Sequence, residues 1–370
     1  MFVTLLAAAG AQELRVGVIL PLTGQHGTEF EQVLTGVRRS INLQSSPVLR
    51  NVELIPRDDG GSPARAATLV RELITNDDVH IIVCCSDERT AAAVRPVAEE
   101  LQVLTLSLAS TPDLRNDGMM QTLEPDLLTS MRAIALGARR HEGDLALLTA
   151  DDDWGDRVAG AFRDGALEAG LPVMRVVQFR SGTAPLTPEA LLAATSQAEA
   201  IVVWADETDS REAVRSLRAR GWTGPIILDY LQAASLASTS GLGELEFAVP
   251  PALITGGLPA SSFNQPAVSA WRVASGAALL GADTSLQGAL LYDALQLSLA
   301  AYEQALVYGA SLSLSSAQIR SALHDGLVGS GTNALAAGTY RYSPTTASLA
   351  QPAGLVFASG RNGRFASLSR

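Results

Sequence analysis

The sequence predicts an α/β protein made of two similar lobes in tandem, each built on a parallel sheet. Three observations predict it. First, apolar, β-branched runs alternate with helix-periodic stretches in the order β-α-β-α-β-α-β up to residue 108, and that order implies parallel strands joined by right-handed crossovers. Second, the alternation begins again after residue 127 without close sequence repetition. Third, two strands break into small hydroxylated residues: Val79-His-Ile-Ile-Val-Cys-Cys-Ser-Asp-Glu-Arg-Thr90 and Val103-Leu-Thr-Leu-Ser-Leu-Ala-Ser-Thr-Pro-Asp-Leu114. A buried parallel strand of this kind delivers backbone amides and hydroxyls to a cleft at its carboxyl end. At 370 residues the chain is also too long for one typical core, so two domains are expected.

The elements follow in order. Leu14–Leu20 alternates, is β-rich, and breaks at Pro21-Leu-Thr-Gly24. A helix is expected from about Phe30 to Leu43, then a strand over Val52–Pro56 that ends at Arg57-Asp-Asp-Gly-Gly-Ser-Pro63. Ala64–Thr75 places Ala67, Val70, Leu73 and Ile74 at helical spacing above an Arg/Glu face. Val79–Cys85 reads as a strand, Thr90–Leu101 as a helix with Pro96 near its start, and Val103–Leu108 as a strand. In the second half, helices are expected at Leu127–Arg140, Val158–Ala169, Pro188–Ser196 and Arg211–Arg220, and strands at Asp144–Thr149, Val173–Phe179, Ala200–Ala205 and Pro225–Asp229. After Ile254-Thr-Gly-Gly257 come Ala-, Leu- and Ser-rich helices at about Gln265–Leu280, Leu286–Tyr308 and Ser316–Leu323, expected to pack on the first lobe. The tail carries strand-like pieces at Thr339–Tyr342 and Gly354–Phe357 and a turn at Gly360-Arg-Asn-Gly363.

Composition narrows the function classes. A formal net charge of -11 argues against nucleic-acid binding, which needs a basic face. The opening run Met1-Phe-Val-Thr-Leu-Leu-Ala-Ala-Ala-Gly-Ala-Gln12 ends in the small-x-small form of a signal-peptidase site, although no Lys or Arg precedes it. Residues 1–11 therefore read as the remnant of a secretory signal, with a loose N-terminus as the plainer alternative. Nothing else is long and apolar enough to span a bilayer, which takes about 18 or more uncharged residues. The two cysteines, Cys84 and Cys85, are adjacent; a bond between neighbours is strained, so buried thiols are expected. Their spacing excludes a cysteine zinc site.

No enzyme signature is present. His26, His80, His141 and His324 are scattered, and there is no Gly-x-Ser-x-Gly elbow, Walker loop or dinucleotide fingerprint. A glycosidase carboxylate pair has no fixed spacing and stays a minor alternative. Asp151–Asp153 lacks the alternating spacing of a calcium loop and reads as a solvated turn. Asp58-Asp59 reads as a cap at a strand-to-helix turn. Trp154 reads equally as core or lid, and Asp87 equally as a cap or a ligand contact.

The chain resembles the type I periplasmic binding proteins, and within them the leucine/isoleucine/valine-binding branch of ABC-transporter receptors. The segments that carry the resemblance are Val16-Gly-Val-Ile-Leu-Pro-Leu-Thr-Gly24, Asp58-Asp59, Pro96-Val-Ala-Glu-Glu100, Ser107-Leu-Ala-Ser-Thr-Pro-Asp-Leu114, Asp151-Asp-Asp-Trp-Gly155 and Leu217-Arg-Ala-Arg-Gly-Trp222. Each is weak alone; their order and spacing are fairly specific, and they cover essentially the whole chain after about residue 13. The resemblance implies two flavodoxin-like lobes joined by a three-crossover hinge, with 12–124 plus 256–331 in the first and 125–255 plus 332–370 in the second. It implies closure on a small polar solute.

Carried over residue by residue, it implies a site in which Ala109 and Ser110 offer a carbonyl and a hydroxyl to an ammonium, while Ser86 and Asp87 lie on the loop that meets a carboxylate. Phe30, or its neighbour Glu29, falls at an aromatic lid. Trp154 falls at the second lobe's aromatic wall, Asp206 and Glu207 follow the strand ending Val203-Trp204, and Asp229 matches the acidic partner of the ammonium. Asp87, Asp206 and Glu207 depart from the family's hydroxyl, aromatic or neutral residues there, which makes the expected site more acidic and admits a cationic or amide solute. Arg89 offers a compensating anion site. The disulfide of some relatives lacks its partner near Gly60-Gly61. The implied role is a periplasmic solute-binding receptor of an ABC importer, not an enzyme. It binds an amino acid, small amine or amide, meets a membrane permease, is monomeric, and needs no cofactor, metal or nucleic acid. The alternative is a ligand sensor or protein-partner regulator on the same fold.

Overall fold

The computed structural model describes residues 13–24, 27–43, 52–110, 118–141, 143–171, 175–182, 186–255, 258, 262–275, 286–307, 315–343, 348–362 and 364–368. The expected signal remnant, His26 and the segment 111–117 lie outside the described residues. The chain divides into two compact units, Met1–Glu124 with Pro266–Ala350, and Pro125–Gln265 with Gln351–Arg370. It therefore passes between them three times.

In the first unit the strands are β1 (Leu14–Leu20), β2 (Val52–Asp58), β3 (Ile81–Cys84), β4 (Thr105–Ser107) and β5 (Met120–Thr122). They form one all-parallel sheet in the order β2-β1-β3-β4-β5. Helices α1 (Gly27–Leu43), α2 (Pro63–Thr75) and α3 (Glu88–Leu101) connect the first four strands. A strand's side chains alternate between faces. Ile82 and Cys84 of β3 pack into a cluster with Leu69, Val70 and Leu73 of α2 and Ala91, Val94 and Ala98 of α3. Ile81 and Val83 are equally buried on the opposite face.

Pro56 sits within β2, at the sheet edge, where a missing donor is tolerated. Pro96 lies in the interior of α3, not near its start: the helix begins at Glu88, after the Asp87 cap, and even from the expected start at Thr90 the proline stands well past the first turn. That proline cannot donate to the carbonyl one turn back.

The later helices of this unit are α9 (Gln265–Ala274), α10 (Leu286–Val307) and α11 (Ser316–Gly329). α10 is buried nearly all round, as its Ala/Leu-rich sequence requires. It packs on α1, α11 and β3. α1 comes so close to α9 that a Cβ on Gly36 would stand 2.0 Å from the Ala274 carbonyl oxygen. The short hairpin β11 (Asn333–Ala334) and β12 (Thr339–Tyr340) also belongs here, with Tyr340 bridged to Ala350 and Thr122 to Ser348. Residues 332–350 thus stay with the first unit, whereas the sequence reading gave them to the second lobe. The physical reason is Asp293 of α10. It is fully buried and accepts hydrogen bonds from the Ala336 amide (2.8 Å) and the Ala337 amide (2.6 Å).

The second unit contains β6 (Asp144–Ala150), β7 (Arg175–Phe179), β8 (Ala198–Trp204), β9 (Ile226–Leu228) and β10 (Leu245–Val249). They are parallel in the order β10-β9-β8-β6-β7. The antiparallel hairpin β13 (Val356–Arg361) and β14 (Arg364–Ser367) extends the sheet beside β10. Helices α4 (Leu127–Ala138) and α5 (Asp153–Glu168) cover one face, with Leu145, Leu147, Val202, Trp204 and Ile227 in their shared core. α6 (Pro188–Thr195), α7 (Glu207–Ala219) and α8 (Ala233–Ser238) complete the unit. Among the described residues, no helix is long and apolar enough to cross a membrane.

Burial raises the Asp293 carboxyl from 3.8 to about 7, against the opposing pull of its hydrogen-bond donors, the Ala337 and Ala336 amides foremost and then the Tyr340 side chain and the Gly338 amide. The folded protein therefore keeps a proton that the unfolded chain has released between those values, and this contribution to stability falls as pH rises through 7. Asp293→Asn turns an amide NH2 toward one of the two N–H donors and should cost about 1–3 kcal/mol at pH 5. Calorimetric melting should show that gap narrowing by pH 8; a widening gap would contradict the assignment.

Candidate functional site

Counted from its own first strand, each parallel sheet has the order 2-1-3-4-5. This order reverses once, between β1 and β3 in the first unit and between β6 and β8 in the second. Ligands of open α/β sheets bind outside the carboxyl ends of the strands at such a reversal. The loops to inspect therefore follow β1, β3 and β4, and separately β6, β8 and β9.

In the first unit, Thr23 donates its hydroxyl to Asp58 at 2.7 Å, and the Gly60 amide donates to the same carboxylate at 2.9 Å. Together they lower the Asp58 pKa, Thr23 most strongly. Asp59 is buried, accepts from the Gly61 amide at 2.8 Å, and is raised by desolvation above all. Both carboxylates thus hold the turn into α2. Asp87 caps α3 with both oxygens, accepting from the Thr90 amide at 3.0 Å and the Thr90 hydroxyl at 2.8 Å. Arg89 is 85% exposed and 3.9 Å from Asp87, too loose a pair to build a buried anion site. Ser86 lies half-buried just before this cap.

At the end of β4, the Ala109 amide donates to the Cys85 carbonyl (2.9 Å), while the Ala109 carbonyl accepts from the Ser107 hydroxyl (2.7 Å). The Ser110 amide donates to Glu124 at 2.8 Å. Ser86, Ala109 and Ser110 thus share one edge of the sheet. Phe30 is not exposed as a lid: it is fully enclosed at 0% exposure, one of the largest buried side chains.

Cys84 and Cys85 are joined in a disulfide. Both are buried as expected, but they are not thiols. Cys85 takes a left-handed backbone, φ 71°, a conformation a β-strand residue ordinarily avoids. That break at the strand end accommodates the bond between neighbours.

In the second unit, Asp152 caps α5 by accepting from the Gly155 amide at 2.8 Å. A Cβ on Gly155 would stand 1.8 Å from the Ala150 carbonyl oxygen, so the Asp-Asp-Trp-Gly turn admits only glycine there. No group of side chains able to hold a metal occurs among the described residues. Trp154 is 40% exposed, with the Arg157 guanidinium 4.8 Å from its ring centroid. Asp206 caps α7 through the Asp209 amide (2.8 Å). Glu207 is exposed, pairs with Arg211 one turn on, and accepts from the Ser235 hydroxyl at 2.7 Å. Asp229 is 5% exposed and accepts from the Leu231 amide at 3.3 Å, starting a short 3-10 turn.

The sequence-derived residues thus fall into two groups, one on each unit's carboxyl edge, with Phe30 apart. Their carboxylates are occupied in ways the sequence reading weighed only for Asp87. Asp87, Asp152, Asp206 and Asp229 all cap the turn that follows a strand. The acidity of the expected site is therefore largely helix-start chemistry. Glu124, which accepts from the Ser110 amide, escaped the sequence reading because it belongs to no motif. Ser107 opens the hydroxylated strand end that the sequence showed, but its bond to the Ala109 carbonyl has no sequence signal. His80 and His141 serve structure: His80 Nδ1 accepts from the Arg15 amide at 3.1 Å, and His141 Nε2 lies 2.7 Å from Glu246.

Two parallel-sheet units with matching strand order and polar loops at their reversals define the type I periplasmic binding protein fold. The chain matches the family described as "Periplasmic binding protein" over residues 13–362, and it belongs to that family. Among solved structures, a protein from Rhodospirillum rubrum, described provisionally as a branched-chain amino acid ABC transporter, is similar at 20% identity and TM-score 0.74, covering 96% of this chain and 100% of that one. An ABC transporter substrate-binding protein from Desulfitobacterium hafniense, in complex with Leu, is similar at 18% identity and TM-score 0.68, covering 96% and 100%. The leucine binding protein LivK from Thermotoga maritima is similar at 19% identity and TM-score 0.59, covering 96% and 98%. No curated protein matches the chain in sequence.

If Asp87 is a cap, Asp87→Asn should leave stability within about 0.5 kcal/mol, because Asn caps as well as Asp, whereas Asp87→Ala should cost about 1 kcal/mol. Urea unfolding separates the two. Equal losses would contradict the capping role.

Proposed function

We propose that this protein is an extracytoplasmic, monomeric receptor of an ABC importer, whose two units close on an amino acid or related small amine or amide and present it to a membrane permease. Family membership supports the receptor role. The ligand class rests on the Leu complex of the Desulfitobacterium hafniense relative and on the leucine binding protein of Thermotoga maritima. The single observation within this chain that carries the reading is the matching strand reversal in both units, with Ser86 past the end of β3 at the first of them and Ala109 and Ser110 past the end of the adjoining β4.

The assigned roles follow from chemistry. Ser86 and the first α3 amides ahead of Thr90, whose own amide Asp87 caps, receive the solute carboxylate, since the helix dipole favours an anion. The Ala109 carbonyl keeps a second lone pair after bonding Ser107, and with the Ser110 hydroxyl it receives the ammonium. In the second unit, Asp229 supplies the opposite charge, and Trp154 an apolar wall. No covalent step is assigned, and the site of action is the periplasm.

A ligand that binds only the folded form raises stability by about 2.7 kcal/mol at a hundredfold excess over its Kd. L-leucine, L-isoleucine or L-valine at millimolar concentration should therefore raise the melting temperature by several degrees. A shift only with cationic amines or amides would narrow the solute to those. No shift with any amino acid, amine or amide would contradict the reading. Asp229→Ala and Ser110→Ala should each weaken the stabilising solute about tenfold or more by isothermal titration, the loss expected when a charged or hydroxyl partner is withdrawn. Unchanged affinity in Asp229→Ala would remove that residue from the site.

A further inference from the structure

The Cys84–Cys85 disulfide sits where three things meet. It ends β3, the strand beside the reversal. It precedes Ser86 and the Asp87 cap of α3 directly. Both of its carbonyls accept from the neighbouring strand end: Cys84 from the Leu108 amide and Cys85 from the Ala109 amide, each at 2.9 Å. Closing a ring through the intervening peptide restricts the backbone of both residues. One of them, Cys85, occupies the left-handed region, where a residue with a Cβ is disfavoured. Any relaxation of Cys85 would rotate its carbonyl away from Ala109 and turn Ser86 relative to α3. Both cysteines are 0% exposed, so reductants in solution do not reach the bond in the folded protein.

We propose that this disulfide is a positioning element of the solute site: it locks Cys85 left-handed, and so holds Ser86 and the Ala109–Ser110 strand end in register for binding. Full affinity then belongs only to the oxidised protein, as fits an oxidising compartment. The inference rests on the proposed function for what the loop binds, but not for what the disulfide holds. In the reduced form the S–S bond is broken by two electrons and two protons from a dithiol, which itself becomes a disulfide, and two thiols remain on the chain.

The test compares four samples: the oxidised protein, the protein refolded under a dithiol, Cys84→Ala/Cys85→Ala, and Cys84→Ala/Cys85→Gly. Thiol labelling after unfolding should find no thiol in the oxidised protein and both after reduction. The Leu108 and Ala109 amides should exchange hydrogen at least tenfold faster in the reduced protein and in the double-alanine variant. Cys84→Ala/Cys85→Gly should recover part of that protection, because glycine takes the left-handed conformation freely. Affinity for L-leucine, L-isoleucine and L-valine should follow the same ranking, with a loss of tenfold or more on reduction. Free thiols in the oxidised protein, or equal exchange rates in all four samples, would overturn the proposal. If none of these amino acids binds the oxidised protein, the proposed ligand class fails, while the thiol count and exchange rates still decide the role of the disulfide.

Discussion

Both parallel sheets reverse their strand order once, and that constraint decides which backbone a solute can reach. A parallel sheet covered by helices buries its strands, leaving only their ends and connecting loops to carry polar chemistry. At a reversal the two flanking connections leave toward opposite faces, so the strand ends between them are not roofed by a helix. The polar loops after β1 and β3, and after β6 and β8, follow from that geometry. Ser86 lies just past β3, after Cys85, while Ala109 and Ser110 follow β4, the next strand away from the reversal.

The same geometry explains the acidic residues. Each strand that runs into a helix at the carboxyl edge leaves that helix's first amides without intrahelical partners. Aspartate is among the best side chains to satisfy them. Asp87, Asp152 and Asp206 do so at α3, α5 and α7, and Asp229 does so at a 3-10 turn. A carboxylate occupied in this way spends its lone pairs on backbone amides. An aspartate-rich carboxyl edge is therefore compatible with a neutral amino acid, although in the sequence alone those aspartates also admit a cationic or amide solute. Asp229 is the most deeply buried of these four capping carboxylates, at 5% exposure.

Much of the fold was legible because its signals are local. Leu14–Leu20 announces β1 at its true bounds, and the Ala/Leu-rich run that forms α10 starts at Leu286 as expected. The three-residue strand β5 and the short strand β10 were not foreseen, since their apolar runs are too brief to show a period. Residues 332–350 carry no local sign of their unit; a single buried carboxylate, Asp293, ties the hairpin region to α10. At the site, strand ends were readable from Ser86 and Ser110, because hydroxylated residues interrupt apolar runs. Phe30 was misplaced because an aromatic at helical spacing reads alike for lid and core. The disulfide was missed because the usual objection to bonding adjacent cysteines assumes ordinary strand backbone, and Cys85 abandons it.

The most direct test of this account is an amide chemical-shift map of the oxidised protein titrated with L-leucine, or with whichever amino acid stabilises it most. Perturbations should concentrate at Ser86–Thr90 and Ala109–Ser110 in the first unit, and at the loops after β6, β8 and β9 in the second. Perturbations confined to the opposite, amino-terminal edges of the sheets, or to one unit alone at saturation, would contradict it.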